Sequence, residues 1–168
     1  MERGFIQGKL EIKFLLLYIL SRAEEALDLD TLTDVAMCDS GVSYFDFTSA
    51  LAEVVSTAHA TNEGGRYAIT DKGRKNGAVT EDELPYSVRL RCDQKLAEIN
   101  DRLRREKQVK TDLAQEAEGG WRVTLTLDGE DCNLFTLSLT VPLREDGLQL
   151  ITHFRSNPQA FFLKLRGM

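Results

Sequence analysis

The chain has 168 residues, 42% of them hydrophobic and 29% charged, with a formal net charge of -6. That length suits one ordinary domain or two small ones, and that composition excludes a disordered chain and a membrane-embedded one. The surplus of acid excludes a uniformly basic nucleic-acid coat but leaves room for a local basic patch on an acidic body.

The longest apolar run, residues 14–20, is far short of the roughly 20 residues of a membrane span. Residues 1–9 lack the basic, apolar and small-residue order of a signal peptide. The three cysteines, Cys38, Cys92 and Cys132, are odd in number and far apart, which suggests neither a disulfide framework nor a metal knuckle. A reduced, cytoplasmic protein with space-filling cysteines is expected.

In chain order, Leu10, Phe14, Leu17 and Tyr18 recur at helical spacing, and Ile12, Leu15, Leu16, Ile19 and Leu20 widen the stripe. The pattern predicts a helix over 10–22, apolar on several faces and therefore covered by several neighbours or by another subunit. A short helix over 32–37 follows, capped by Thr31 or Asp30. After an Asp39-Ser40-Gly41 turn, a third helix is predicted over 43–57, with Phe47, Leu51, Val54, Val55 and Ala58 inward. Asn62-Glu63-Gly64-Gly65 is a turn sequence, and Tyr67 and Ile69 alternate with polar neighbours as in a half-buried strand. Residues 72–78, with Gly73 and Gly77 among them, read as polar and poorly helical.

Past an acidic break at 81–84, Pro85 opens a helix of about 20 residues in which Val88, Cys92, Leu96, Ile99 and Leu103 share one face. That stripe can dock on the helices before it or pair across a two-fold axis, and dimerisation through these five residues is expected. The opposite face mixes arginine and lysine with acids, as solvated helices do. The last third alternates with a period of two: Trp121, Val123, Leu125 and Leu127, then Phe135, Leu137, Leu139 and Val141. Asp128-Gly129 is the hairpin sequence between them. Residues 110–118 suit a strand or a helix. Short helices are expected around Leu148, Ile151 and Phe154, and after Asn157-Pro158 as cap and first-turn proline.

The fold class expected is α+β: three helices and a β-wing over 1–80, a linking helix over 81–109, and a small antiparallel sheet with short helices over 110–168. Helix, short helix, turn, helix and glycine-tipped hairpin resemble a winged helix-turn-helix. The stretch Tyr67-Ala68-Ile69-Thr70-Asp71-Lys72-Gly73 resembles the end of the wing in bacterial PadR-like and MarR-like regulators. In those proteins the threonine caps the next helix and the glycine lies in its first turn. The whole chain resembles a bacterial family described as a domain of unknown function, which joins a winged helix to a small α/β part. The matching stretches are residues 13–20, Tyr44-Phe45-Asp46-Phe47 with 51–55, residues 67–73, residues 137–142 and Asn157-Pro158. The resemblance implies a DNA-binding transcription regulator, dimeric and acting on double-stranded DNA. The contact surface would then be Tyr44, Phe45, Thr48 and Ser49 on the third helix, Gly64, Gly65 and Arg66 at the wing, and Lys72, Arg74 and Lys75 after it.

Phosphate contacts need lysine and arginine, and the third helix has neither; it carries Asp46 and Glu53 instead. Residues 1–79 hold eight basic and twelve acidic side chains. The alternative is therefore a winged helix used for protein contacts. No enzymatic constellation is found. His59 and His153 have no ligand-spaced partners, and Asp28, Asp30 and Asp34 fail as a calcium loop because Leu32 and Thr33 occupy a ligand and the turn-glycine position. Neither a metal nor another cofactor is expected. Trp121 suits the sheet core or the wall of an effector pocket, with no effector specified.

Overall fold

The computed structural model describes residues 4–167. Its α+β chain forms two compact units, one ending at Asp101 and the other beginning at Arg102. The residues expected as a linking segment, 81–109, are thus shared between them.

In the first unit, α1 (Lys9–Arg22) buries Ile12 and every residue from Leu15 to Leu20. Such a helix must be surrounded, and it is: α2 (Leu29–Ala36), α3 (Tyr44–Ser56) and α4 (Asp71–Thr80) all pack on it. The first turn of α2 is capped by Asp28, whose carboxylate accepts the Thr31 N–H at 2.8 Å. The cap expected at Thr31 or Asp30 thus falls two or three residues earlier. The reason is pairing: Leu27 and Asp28 form β1, whose two residues bond to β3, and the helix starts where that pairing ends.

Ser43 caps α3 as its position implies, accepting the Asp46 N–H at 3.1 Å. Phe47, Ala50, Leu51 and Val54 are its buried residues. Ala58, expected inward, is exposed. It takes a left-handed φ of 58° beyond the helix end. The His59 N–H then reaches the Val54 carbonyl and the Ala58 N–H the Val55 carbonyl, both at 2.9 Å. This double closure normally uses glycine.

Strands β2 (Ala60–Glu63) and β3 (Arg66–Ile69) pair antiparallel with Glu63 opposite Arg66, and β1 adds to the other side of β3. Gly64 and Gly65, at φ 59° and 82°, make the two-residue turn. Residues 71–80, whose composition reads as poorly helical, form α4. Thr70 caps it through the Gly73 N–H at 3.0 Å, as the resemblance implied. Its two glycines answer close approach. A Cβ at Gly73 would lie 2.0 Å from the His59 carbonyl oxygen, and one at Gly77 3.3 Å from Leu17 Cβ. Tertiary contact with α1 and with His59, just before β2, outweighs the roughly 1 kcal/mol that each glycine costs a helix. A 3-10 turn (Glu81–Glu83) leads to α5 (Tyr86–Gln108).

The second unit is a sheet of order β4-β5-β6 under two helices. The ambiguous segment is a strand, β4 (Val109–Gln115), paired along its whole length with β5 (Trp121–Asp128). Strand β6 (Asn133–Val141) pairs Phe135 with Leu127, Leu137 with Leu125 and Leu139 with Val123. The hairpin falls at Asp128-Gly129 as expected, and its loop is residues 129–132 rather than a two-residue turn. That shorter turn would shift the register by an odd number and put Leu134, Thr136, Ser138 and Thr140 on the core face. Burial of Phe135, Leu137 and Leu139 selects the longer loop. Helices α6 (Arg144–Ser156) and α7 (Pro158–Arg166) cover that face with Leu150, Ile151, Phe154, Phe161 and Phe162. Asn157 caps α7 through the Ala160 N–H at 3.0 Å. No helix among the described residues is long and apolar enough to cross a membrane.

Candidate nucleic-acid interface

The first two turns of α3 leave their outer side open. Tyr44 is 58% and Phe45 80% exposed. Thr48 turns its hydroxyl inward, donating to the Phe45 carbonyl at 3.0 Å, and Ser49 is half-buried. Asp46 is occupied at the cap, where the Ser43 hydroxyl donates to its carboxylate at 2.7 Å. Glu53 is clamped by both Lys9 and Lys13 of α1. Bonds from Lys13 and Lys9 hold its carboxyl below the usual range. One of the two acids of α3, Glu53, is therefore answered by lysines of α1.

The cations of the β2–β3 hairpin and of α4 are held differently. Arg66 donates to the Ala26 carbonyl at 3.2 Å, Lys72 to the Thr57 carbonyl at 2.7 Å, and Arg74 to the Ser21 carbonyl at 3.3 Å. Thr57 and Ser21 stand at the C-terminal ends of α3 and α1, where backbone carbonyls lack partners and cations are favoured. A carbonyl positions such a side chain without cancelling its charge. Lys75 is exposed on the same helix, and Gly64 and Gly65 are exposed at the wing tip.

His59 is half-buried and bonded at both ring nitrogens. Nδ1 lies 2.7 Å from the Thr57 hydroxyl and Nε2 2.6 Å from the Asn76 amide nitrogen. The Thr57 hydroxyl donates to the Glu53 carbonyl at 2.7 Å. It must then accept from Nδ1–H, while Nε2 accepts from Asn76. This is the neutral ring, and burial, with Lys72 and Lys13 nearby, keeps its pKa below the usual value.

Two constellations had no signature in the sequence. Asp39, expected in a turn, is 1% exposed. Its Oδ1 accepts the Ile6 and Gly41 N–H groups at 3.1 and 3.0 Å, and its Oδ2 accepts Phe5 N–H and Arg91 at 3.1 and 3.0 Å. Burial pushes its carboxyl up, but the three N–H groups and Arg91 outweigh this and hold it below the ordinary value. The second is Cys38 and Cys92, whose sulfurs stand 3.3 Å apart. They lie 54 positions apart in the chain, so no spacing rule could pair them.

Of the two partners open to the stripe of α5, Val88, Cys92 and Leu96 take the chain's own first unit, where all three are buried. Ile99 and Leu103 are half-buried. The helix is tied to α1 by the Tyr18 hydroxyl on Asp93 at 2.9 Å and by Asn100 on the Arg22 carbonyl at 3.0 Å. Lys95 ties it to α2 through Asp34 at 3.0 Å. Trp121 is half-buried beside the second core, with the Arg144 guanidinium 5.7 Å from its ring centre. No group of three or more potential metal ligands occurs among the described residues.

No match is found among the curated proteins or among the solved structures. One family model, described as a domain of unknown function (DUF4364), matches residues 12–165. That match spans both units and all the elements from α1 into α7, so the chain belongs to the DUF4364 family.

Proposed function

We propose that the first unit is a winged helix-turn-helix that binds double-stranded DNA, and that the protein is a transcription regulator. Helices α2 and α3, joined by a short turn, and the glycine-tipped β2–β3 hairpin with β1 at its side follow the order of that fold. In it the second helix of the pair enters the major groove and the wing reaches the flanking backbone. Tyr44, Thr48 and Ser49 would face the groove, and Arg66, Lys72, Arg74 and Lys75 the phosphates. The observation that carries the reading is the way those cations are held. Carbonyls hold Arg66, Lys72 and Arg74 and leave them able to reach phosphates, although Asp28 and Glu63 stand opposite Arg66 across the sheet.

The homodimer belongs to the same proposal. Burial of Val88, Cys92 and Leu96 leaves Ile99 and Leu103 as the members of the expected set able to serve it. Light scattering on the purified chain reads that state directly.

The test is fluorescence anisotropy of the purified protein with random and genomic double-stranded DNA across a salt series. Affinity should fall linearly on a log–log plot, and each of Arg66→Ala, Lys72→Ala, Arg74→Ala and Lys75→Ala should lower the slope by about one. No association at low ionic strength sinks the proposal. A second reading is a protein-contact module, favoured by the exposed aromatics Tyr44 and Phe45 at the start of a helix without lysine or arginine. Binding that ignores salt, and is lost in Phe45→Ala but not in Arg66→Ala, would select it.

A further inference from the structure

Nothing in the proposed DNA interface uses the two sulfurs that touch at the end of α2. Cys38 follows α2 by two residues and is half-exposed, whereas Cys92 is buried in the middle of α5. The Sγ–Sγ distance is 3.3 Å and neither cysteine is in a disulfide. Around the pair stand Arg91 and Lys95 of α5, Asp39 next in sequence to Cys38, and Asp93 next to Cys92. Arg91 and Lys95 are both held in place, on Asp39 and Asp34.

We propose that Cys38 and Cys92 form a peroxide-reactive dithiol, with Cys38 the attacking thiol and Cys92 the resolving one. The asymmetry follows from the surroundings. A small hydroperoxide can reach the half-exposed Cys38 and not the buried Cys92. The thiolate is the nucleophile. At Cys38 the S–H donated by Cys92 favours the thiolate; burial opposes it, Arg91 and Lys95 support it, and Asp39 opposes it. The balance lies below the usual thiol value. At Cys92 the same hydrogen bond, burial and the charges of Cys38 and Asp93 push the pKa up, with only Arg91 opposing.

The chemistry balances with hydrogen peroxide as oxidant. The Cys38 thiolate attacks one peroxide oxygen, the O–O bond breaks, and hydroxide leaves to be protonated to water. Cys38 is then a sulfenic acid, oxidised by two electrons. The Cys92 sulfur attacks the Cys38 sulfur and the S–S bond forms as the S–O bond breaks. The hydroxyl leaves with the proton of Cys92 as a second water. Two thiols and one peroxide thus give one disulfide and two waters. The product fastens the end of α2, just before the Asp39 turn into α3, to α5.

The experiment uses the full reduced chain and one equivalent of hydrogen peroxide, followed by thiol alkylation and peptide mapping. The expected result is loss of two of the three free thiols, a Cys38–Cys92 cross-linked peptide, and an unmodified Cys132 although that residue is exposed. In Cys92→Ala, dimedone should trap a sulfenic acid at Cys38; in Cys38→Ala, Cys92 should stay unlabelled. Oxidation of Cys132 ahead of Cys38, or a wild-type chain that yields no Cys38–Cys92 peptide, overturns the proposal. The wild-type map decides without any variant, and none of these outcomes depends on DNA binding.

Discussion

Replacing Asp39 tests the best-connected buried group of the first unit. The two carboxylate oxygens have separate partners: Oδ1 serves Ile6 and Gly41, Oδ2 serves Phe5 and Arg91. Asp39→Ala removes both. The Ile6 amide is then buried without a partner, which costs about 1–3 kcal/mol, and the part-buried Phe5 and Gly41 amides add about 0.5–1.5 kcal/mol each. Arg91 is exposed enough to regain water, so its share is small. The expected loss is about 4 kcal/mol, nearly all of it from the three amides. Asp39→Asn keeps Oδ1 on Ile6 and Gly41 but turns an amide NH2 toward two donors, so about half of that loss, ~2 kcal/mol, is expected. Because the folded carboxyl titrates below its ordinary 3.8, its contribution is present above that pH and disappears as pH falls through the lower folded value. The gap between wild type and Asp39→Asn should therefore close in acid. Urea unfolding by far-UV circular dichroism at several pH values gives the losses, and hydrogen exchange at Ile6 and Gly41 gives the local opening. An alanine variant within about 1 kcal/mol of wild type, or an asparagine variant as damaged as alanine, would refute the hub.

Ala58 holds a left-handed φ of 58°, so Ala58→Gly should raise stability by about 1 kcal/mol, against the usual sign for glycine, as thermal melting will show. Gly73→Ala should lose roughly 1–3 kcal/mol or more in the same assay, since its Cβ would meet the His59 carbonyl oxygen at 2.0 Å. His59 titrates below 6.5 in the fold, so below that pH the unfolded chain binds more protons and stability falls until the folded value is passed. His59→Gln should flatten this part of a stability–pH curve. Glu53→Gln frees Lys9 and Lys13, and on the DNA reading it should tighten DNA binding and steepen its salt slope; unchanged anisotropy curves would separate that helix from the phosphates.

Periodicity alone located α1, α3, α5, β5 and β6, because each carries an apolar pattern that only one local geometry can bury. Asn157 was legible as a cap for a similarly local reason: its side chain bonds an N–H three residues on. The lysines on Glu53, the carbonyls under Lys72 and Arg74, the Asp39 hub and the Cys38–Cys92 contact were not legible. Their partners lie far off in the chain, brought together by the packing of α1, α2, α3 and α5.

The same division holds for the backbone. Composition by itself determined an acidic chain, and the order of apolar residues an apolar first helix and an alternating C-terminal sheet. The helix over 71–80 was implied by the resemblance at Thr70 and Gly73, but only tertiary structure shows why Gly73 and Gly77 stand in it: the backbone of His59 and the side chain of Leu17 come too close for larger residues. It also decided that β4 is a strand and that the loop after Asp128 runs over residues 129–132. In both cases the free energy of pairing and burying a whole sheet face exceeds the preference of two or three residues.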